Sequence, residues 1–265
     1  MLQGIDHLVV VVPDLDTAIA NYTALGFTVV PGGSHPIGSH NALIAFEDGA
    51  YIELLAFYAP NPGHRWYAAL QHGGGLTDYC LVTNELRAEI ANFRAHGLKI
   101  SDPTPLSRTR PDGYQLEWLM GLSDPVNQPG TPFLIEDLTP RDERIPKQTQ
   151  HANGVTGIQS VTVFGPDTVL EALTALFGSA ASIERPDVHT SGYRSVSGTH
   201  TLDLLRVPPA GQPRGGVYSA VLTTRGSQRG PLDLNLAING RFTLVGDREI
   251  GLSRQLPPKY MWSQG

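Results

Sequence analysis

What most constrains this chain is a repeat. Residues 4–16 form a β-branched run, Gly-Ile-Asp-His-Leu-Val-Val-Val-Val, that ends at Pro13 and passes at once into an acidic cap. Residues 15–25 then carry Ala18, Ile19, Tyr22 and Leu25 at helical spacing, and Gly26 stands where a C-terminal cap glycine belongs. Residues 27–30 begin a second strand, and residues 40–46 and 51–57 make a hairpin turning at Asp48-Gly49. The order is β-α-β-β-β. It returns at residues 76–86, where Asn84 caps a helix running through Ile90, Phe93 and His96 to Gly97. Lys99-Ile100 starts the next strand, and residues 115–122 and 132–138 supply the closing pair around an inserted Gly/Pro/Asn/Asp loop. A third copy starts at 157–167, continues as a helix over 169–177, and closes with strands at 193–196 and 200–207 turning through 197–199. Beyond it, residues 216–224 and 242–246 are strand-like with no evident helix between them.

This pattern predicts an α+β chain of tandem βαβββ modules forming curved mixed sheets around a cavity. Residues 1–140 are read as paired modules (1–60 and 75–140), 141–154 as a linker, and 155–265 as a third module plus a partial fourth. Gly73-Gly74-Gly75 is the hinge between the first two modules. It is not a phosphate loop, because no Lys-Ser/Thr follows and a strand comes next.

Composition removes several function classes. Net charge is −6 with only 19 Lys+Arg, which argues against a nucleic-acid partner. No apolar run approaches the length of about eighteen residues needed to span a bilayer, and no charged-then-apolar leader follows Met1, so a cytoplasmic location is expected. The single Cys80 lies in an apolar stretch, is expected to be a buried small hydrophobe, and rules out a disulfide framework. Hydrolysis by a nucleophilic triad lacks a Gly-x-Ser-x-Gly elbow.

Two βαβββ units side by side close their sheets into a cup, so equivalent residues of the repeats stand on opposite walls. His7 on the first strand and Glu53 on the fourth are polar exceptions in apolar strands. A carboxylate buried among Tyr51, Ile52, Leu54 and Leu55 would cost several kcal/mol, and a metal ion would offset that cost. Asp78 and Glu136 are the corresponding residues of the second module, found by aligning Pro13 with Asn84 and 51–53 with 134–136. His7, Glu53, Asp78 and Glu136 thus make a candidate ligand set for a divalent metal (Zn, Mn, Fe or Ni). His40 is a candidate third ligand or substrate hydrogen-bond donor, taken to share the face of Glu53, and Arg110 a candidate clamp on a substrate carboxylate or phosphate. Trp66, Tyr67 and Trp118 are candidates to roof the pocket, with core packing the better reading of Trp118.

Four segments in order carry a family resemblance: residues 4–9, His35-Pro36-Ile37-Gly38-Ser39-His40-Asn41, Tyr51-Ile52-Glu53-Leu54-Leu55, and Arg108-Thr109-Arg110-Pro111-Asp112-Gly113. Together they resemble the glyoxalase-like branch of the vicinal-oxygen-chelate superfamily, which also holds glyoxalase I, extradiol dioxygenases and bleomycin- and fosfomycin-resistance proteins. The resemblance implies paired βαβββ modules, a metal on the cavity floor, and a small substrate whose adjacent oxygens chelate it. Glu136 or Glu53 would then be the catalytic proton shuttle, in lyase, isomerase or dioxygenase chemistry. The chain departs from the pattern at Asp78, where metal-dependent members usually carry His or another strong ligand. The third module has Ser160 for His7 and Asp203 for Glu53, so it is expected to support the fold or a homodimer contact without binding metal. The competing reading is a metal-free protein of the bleomycin-resistance type that sequesters a small molecule in the same cup.

Overall fold

The computed structural model describes residues 2–177, 181–185, 190–197, 200–207 and 215–247. The first repeat is β1 (Leu2–Val11), α1 (Leu15–Ala24), β2 (Val30–Ser34), β3 (Ser39–Ala45) and β4 (Tyr51–Phe57). A 3-10 turn at Tyr67–His72 leads into the second: β5 (Gly75–Thr83), α2 (Leu86–Ala95), β6 (Thr104–Thr109), β7 (Gln115–Gly121) and β8 (Phe133–Asp137). These eight strands close into one barrel, in the order β1-β4-β3-β2-β6-β7-β8-β5. Within each repeat the first and last strands are parallel. The repeats join where β1 runs antiparallel to β5 and where Ser34 of β2 meets Thr109 of β6.

After the short α3 (Arg141–Arg144), the third repeat follows as β9 (Val155–Phe164), α4 (Asp167–Phe177), β10 (Ala181–Arg185), β11 (Thr190–Ser197) and β12 (His200–Leu205). Next come β13 (Gly216–Thr224), β14 (Gly230–Pro231) and β15 (Phe242–Gly246), and all seven strands form one sheet, β10-β11-β12-β9-β13-β15-β14. The expected α+β architecture of repeated modules is present. Two residues of the turn expected at 197–199, Gly198 and Thr199, lie outside the described residues.

The continuous apolar reading of β1 follows from its position, since both of its faces are covered. Val9, Val11, Leu55, Trp118, Met120 and Ile135 fill the barrel's inside. Leu8, Val10, Ile52 and Leu54 face outward, into a core that runs on through Val161, Leu202 and Leu222 of the second sheet. Each such fully buried side chain contributes on the order of 2 kcal/mol. Polar contacts lock the same seam: Ile5 N–H donates to His200 Nδ1 at 2.8 Å and Ile158 N–H to Asp48 Oδ2 at 2.8 Å.

Both second strands start later than their sequence suggests. Phe27 N–H bonds back to Tyr22 O at 3.1 Å and Leu98 N–H to Phe93 O at 3.1 Å, closing each helix behind Gly26 and Gly97. Those residues finish a helix instead of opening a strand, and Ile100 keeps only an isolated bridge to Ser123. The α2 cap also moves by one residue, to Glu85. At the hinge, a Cβ on Gly74, whose φ is +80°, would meet Val11 O at 2.3 Å, so this turn requires glycine. Residues 141–154 are more than a tether, because α3 places Arg144 inside the fold with 2 % exposure.

Candidate active site

The barrel encloses a cavity of about 400 Å³. The first repeat lines it with His7, His35, Asn41 and Glu53, and the second with Leu106, Arg108, Trp118, Met120, Leu122 and Ile135.

His7 and Asp6 sit at a register irregularity of β1 that buries both side chains. His7 Nδ1 lies 2.6 Å from Asp6 Oδ2, and the ring stacks on Tyr51 with centroids 4.7 Å apart. A carboxylate only accepts, so Nδ1 donates this bond and Nε2 is the ring nitrogen left on the side of Glu53. Asp6 is in turn bonded by Arg144 at 2.9 and 3.0 Å and by Arg141. Burial alone would raise the Asp6 carboxyl, but Arg144, Arg141 and His7 outweigh it and hold it well below the usual carboxylate range. Arg144 also bonds Tyr51 OH at 2.8 Å and Asp137 Oδ2 at 2.9 Å. Through these bonds α3 fixes the floor of the cavity.

Glu53 on β4 is 6 % exposed. His7 Nε2 lies 3.8 Å from its Oε2, and His35 Nε2 lies 3.9 Å from its Oε1. Asn41 Nδ2 donates to the same Oε1 at 2.5 Å, while Asn41 Oδ1 accepts from Arg108 Nη1 at 3.4 Å. The His35 Nδ1 contacts Ser39 Oγ at 3.0 Å. Burial pulls the His35 imidazole down to about 4, so it is neutral near pH 7.

The residues singled out in the sequence divide. His7 and Glu53 converge on the cavity; Asp78, Glu136, His40 and Arg110 do not line it. Asp78 is occupied by Arg65 Nη2 at 3.0 Å and Trp66 Nε1 at 2.8 Å, so it anchors the residues over the cavity instead of facing a ligand. Glu136 faces α2, where its Oε2 accepts from Leu86 N–H at 2.9 Å. The ladder also corrects its alignment. Val9 pairs with Glu53 in the first repeat and the corresponding Cys80 pairs with Phe133 in the second, so Phe133, not Glu136, stands at the place of Glu53.

His40 lies on the other face of β3, stacked on Tyr58 at 4.2 Å, because the β3–β4 ladder sets Leu43 opposite Glu53 and so gives Asn41 the inward parity. Arg110 falls beyond the end of β6 and is held by Asp112 at 2.5 Å and Glu143 at 2.7 Å, whereas Arg108, two residues earlier, reaches the cavity. Trp66 and Trp118 line the cavity, and Tyr67 packs on Phe57. Cys80 is buried, and burial raises its thiol. Sequence reasoning missed His35, Asn41, Arg108, Asp6 and Arg144. Inward parity with Leu106 is the signal that could have found Arg108.

Two groups of side chains bear on a metal ion. Asp6, His7 and Cys80 lie close together, but Asp6 is neutralised by two guanidiniums and occupies His7 Nδ1, so this trio does not fit a cation. His7, His35 and Glu53 are more widely spread but, among the described residues, carry no competing cation: both imidazoles have Nδ1 engaged by a neighbour, and each Nε2 lies within 4 Å of a different oxygen of one carboxylate.

A closed barrel of paired βαβββ repeats with a histidine and a glutamate on its inner face defines a vicinal-oxygen-chelate protein. The chain belongs to the glyoxalase-like domain family, whose model matches residues 5–178. A crystal structure of a hypothetical protein from Staphylococcus aureus is similar at 14% identity and TM-score 0.69, over 93% of this chain and 100% of that one. A mutant of 4-hydroxymandelate synthase from Streptomyces coelicolor is similar at 17% identity and TM-score 0.58, over 84% of this chain and 71% of that one. These likenesses bear on the fold. No curated protein matches the chain in sequence, and no helix among the described residues is long and apolar enough to cross a membrane.

Proposed function

We propose that this chain is a metal-dependent enzyme that acts on a small oxygenated molecule by chelating its adjacent oxygens within the barrel. The observation that carries the reading is the approach of His7 Nε2 and His35 Nε2 to the two oxygens of Glu53 at 3.8 and 3.9 Å in a buried cavity. His7, Glu53 and His35 would hold a divalent ion; Asp78 and Glu136, committed elsewhere, would not. When bound, the ion supplies Lewis-acid stabilisation of negative charge developing on a substrate oxygen. Asp6 keeps His7 in one tautomer, and Asn41 orients Glu53. Glu53, the one carboxylate lining the cavity among the described residues, holds or moves a proton. Trp118, Met120 and Leu122 exclude water from that step. The reaction class stays open among lyase, isomerase and dioxygenase chemistry.

A specific observation favours the second reading, a metal-free binding protein: Asn41 already bridges Glu53 to Arg108, so the carboxylate has a cationic counterpart without an ion. Elemental analysis of protein purified without chelator separates the two. Near-stoichiometric metal that is lost in His7→Ala and Glu53→Gln supports the enzyme. Protein that takes up none after incubation with Mn, Zn, Fe or Ni salts is the sequestering kind.

A further inference from the structure

Three arginines line the cavity, and two of them have acidic partners. Arg65 pairs with Asp78, and Arg144 pairs with Asp6 and Asp137. Arg108 is different. It is 3 % exposed, and among the described residues no carboxylate oxygen comes within 4.0 Å of its guanidinium. Its bonds go to neutral oxygens, Asn41 Oδ1 at 3.4 Å and Arg144 O at 2.9 Å, and its Nε has no acceptor. Burial pulls this guanidinium below its ordinary value. Gly32 leaves the passage that this arrangement needs, since a Cβ there would lie 2.1 Å from Asn41 Oδ1 and 2.9 Å from Arg108 Nη1. Glu53 answers this buried charge only through Asn41, and the Nε donor stays unfilled; an anionic ligand is what would fill it. Beside it on the neighbouring strands β7 and β8, Trp118, Met120 and Ile135 offer an apolar surface that lines the same cavity.

We infer that Arg108 is the anion subsite of this cavity, and that the natural ligand is a small carboxylate with an apolar, ring-sized body. The inference deepens the proposed function, on whose cavity it rests, but does not depend on the metal. The carboxylate takes the donors of Arg108 beside Asn41, and the body lies on Trp118 and Met120. Fixed in this way, the ligand's oxygens are directed toward Glu53 and His7.

Phenylacetate and its neutral counterpart 2-phenylacetamide test this, titrated into chelator-treated protein with the fluorescence of Trp66 and Trp118 as readout. Phenylacetate is expected to bind at least about tenfold more tightly than the amide. Arg108→Gln should abolish that preference, with Arg108→Lys intermediate and Arg110→Gln like wild type. Equal binding of acid and amide by the wild-type protein, binding of neither at millimolar concentration, or a preference that survives Arg108→Gln overturns the inference. Should Arg108→Gln fail to fold by circular dichroism, the wild-type preference and the Arg108→Lys variant decide. Metal content is read separately on the same preparations. Preference present with no metal uptake retires the metal and keeps Arg108; preference seen only in metal-loaded protein assigns the anion to the ion and retires Arg108.

Discussion

The two halves of the barrel share one backbone plan but differ on their inner faces. In the first repeat the facing positions of strands one and four are His7 and Glu53; in the second, the corresponding residues are Asp78 and Phe133. Asp78 is turned to Arg65 and Trp66, and Phe133 is fully buried with its ring edge-on to His7 at 5.3 Å. One half therefore supplies the buried His7, Asn41 and Glu53, while the other supplies most of the apolar lining together with Arg108, and electrostatic interactions strengthen where such lining excludes water. The third repeat keeps a weaker version, with Ser160 Oγ and Asp203 Oδ2 in contact at 3.1 Å inside the second sheet.

The sharpest way to break this comparison is to give the second repeat the residue of the first. Phe133→Glu places a carboxylate among Trp66, His7 and the Arg65 guanidinium, and should cost about 4 kcal/mol in urea unfolding through lost aromatic packing plus a buried charge that Arg65, already paired with Asp78, offsets only in part. Glu53→Gln, the converse change, should stay within about 1 kcal/mol while abolishing metal uptake. Equal costs for the two would mean that the halves are not specialised. The next effect in size concerns what holds the polar half together. Arg144→Met leaves Asp6 with Arg141 and His7 only and is expected to lower stability by about 3–5 kcal/mol. A loss below about 1 kcal/mol in the same assay would show that α3 is a passive connection.

Much of this was legible in the sequence, for a physical reason. Repeats announce themselves through turn residues and β-branched runs, so three strand-helix starts and the pair His7 and Glu53 could be read directly. What could not be read was register. The parity of His40 against Asn41 depends on how many residues the hairpin turn consumes, and a one-residue slip exchanges the two faces. Glu136 was misplaced likewise, because its strand is offset from its neighbour in a way that only the ladder fixes. Asp6 and Arg144 are 138 positions apart, and no local pattern links them. Arg108 and His35 lay inside segments already noticed, yet Arg110 and His40 were the more conspicuous residues there.

A smaller expected effect sharpens the contrast through pH. His35 ionises near 4 in the folded chain, below the ordinary histidine value, because burial disfavours its charged form. The unfolded chain takes up that proton first, so stability should fall as pH drops from about 6.5 to about 4 and gain no further loss from this group below that. The slope attributable to it is at most about 1.4 kcal/mol per pH unit. Thermal melts of chelator-treated protein should show this slope in wild type and a flatter profile in His35→Gln. Identical profiles would mean that His35 is already solvated in the folded state.

The smallest effect is expected at one of two adjacent residues. His40 and Asn41 are neighbours on β3, but the side-chain period of two sends Asn41 to Glu53 and His40 to Tyr58. His40→Ala removes one ring contact outside the cavity and should change stability by no more than about 1 kcal/mol, with metal and ligand binding unaltered. Asn41→Ala strips the donor from Glu53 and the acceptor from Arg108, so ligand binding should weaken and stability should fall by about 1–3 kcal/mol. Binding titrations of the two variants side by side test the register of the whole β3–β4 ladder. If His40→Ala is the one that loses binding, the hairpin is slipped by one residue and the polar wall of the cavity has been assigned to the wrong face.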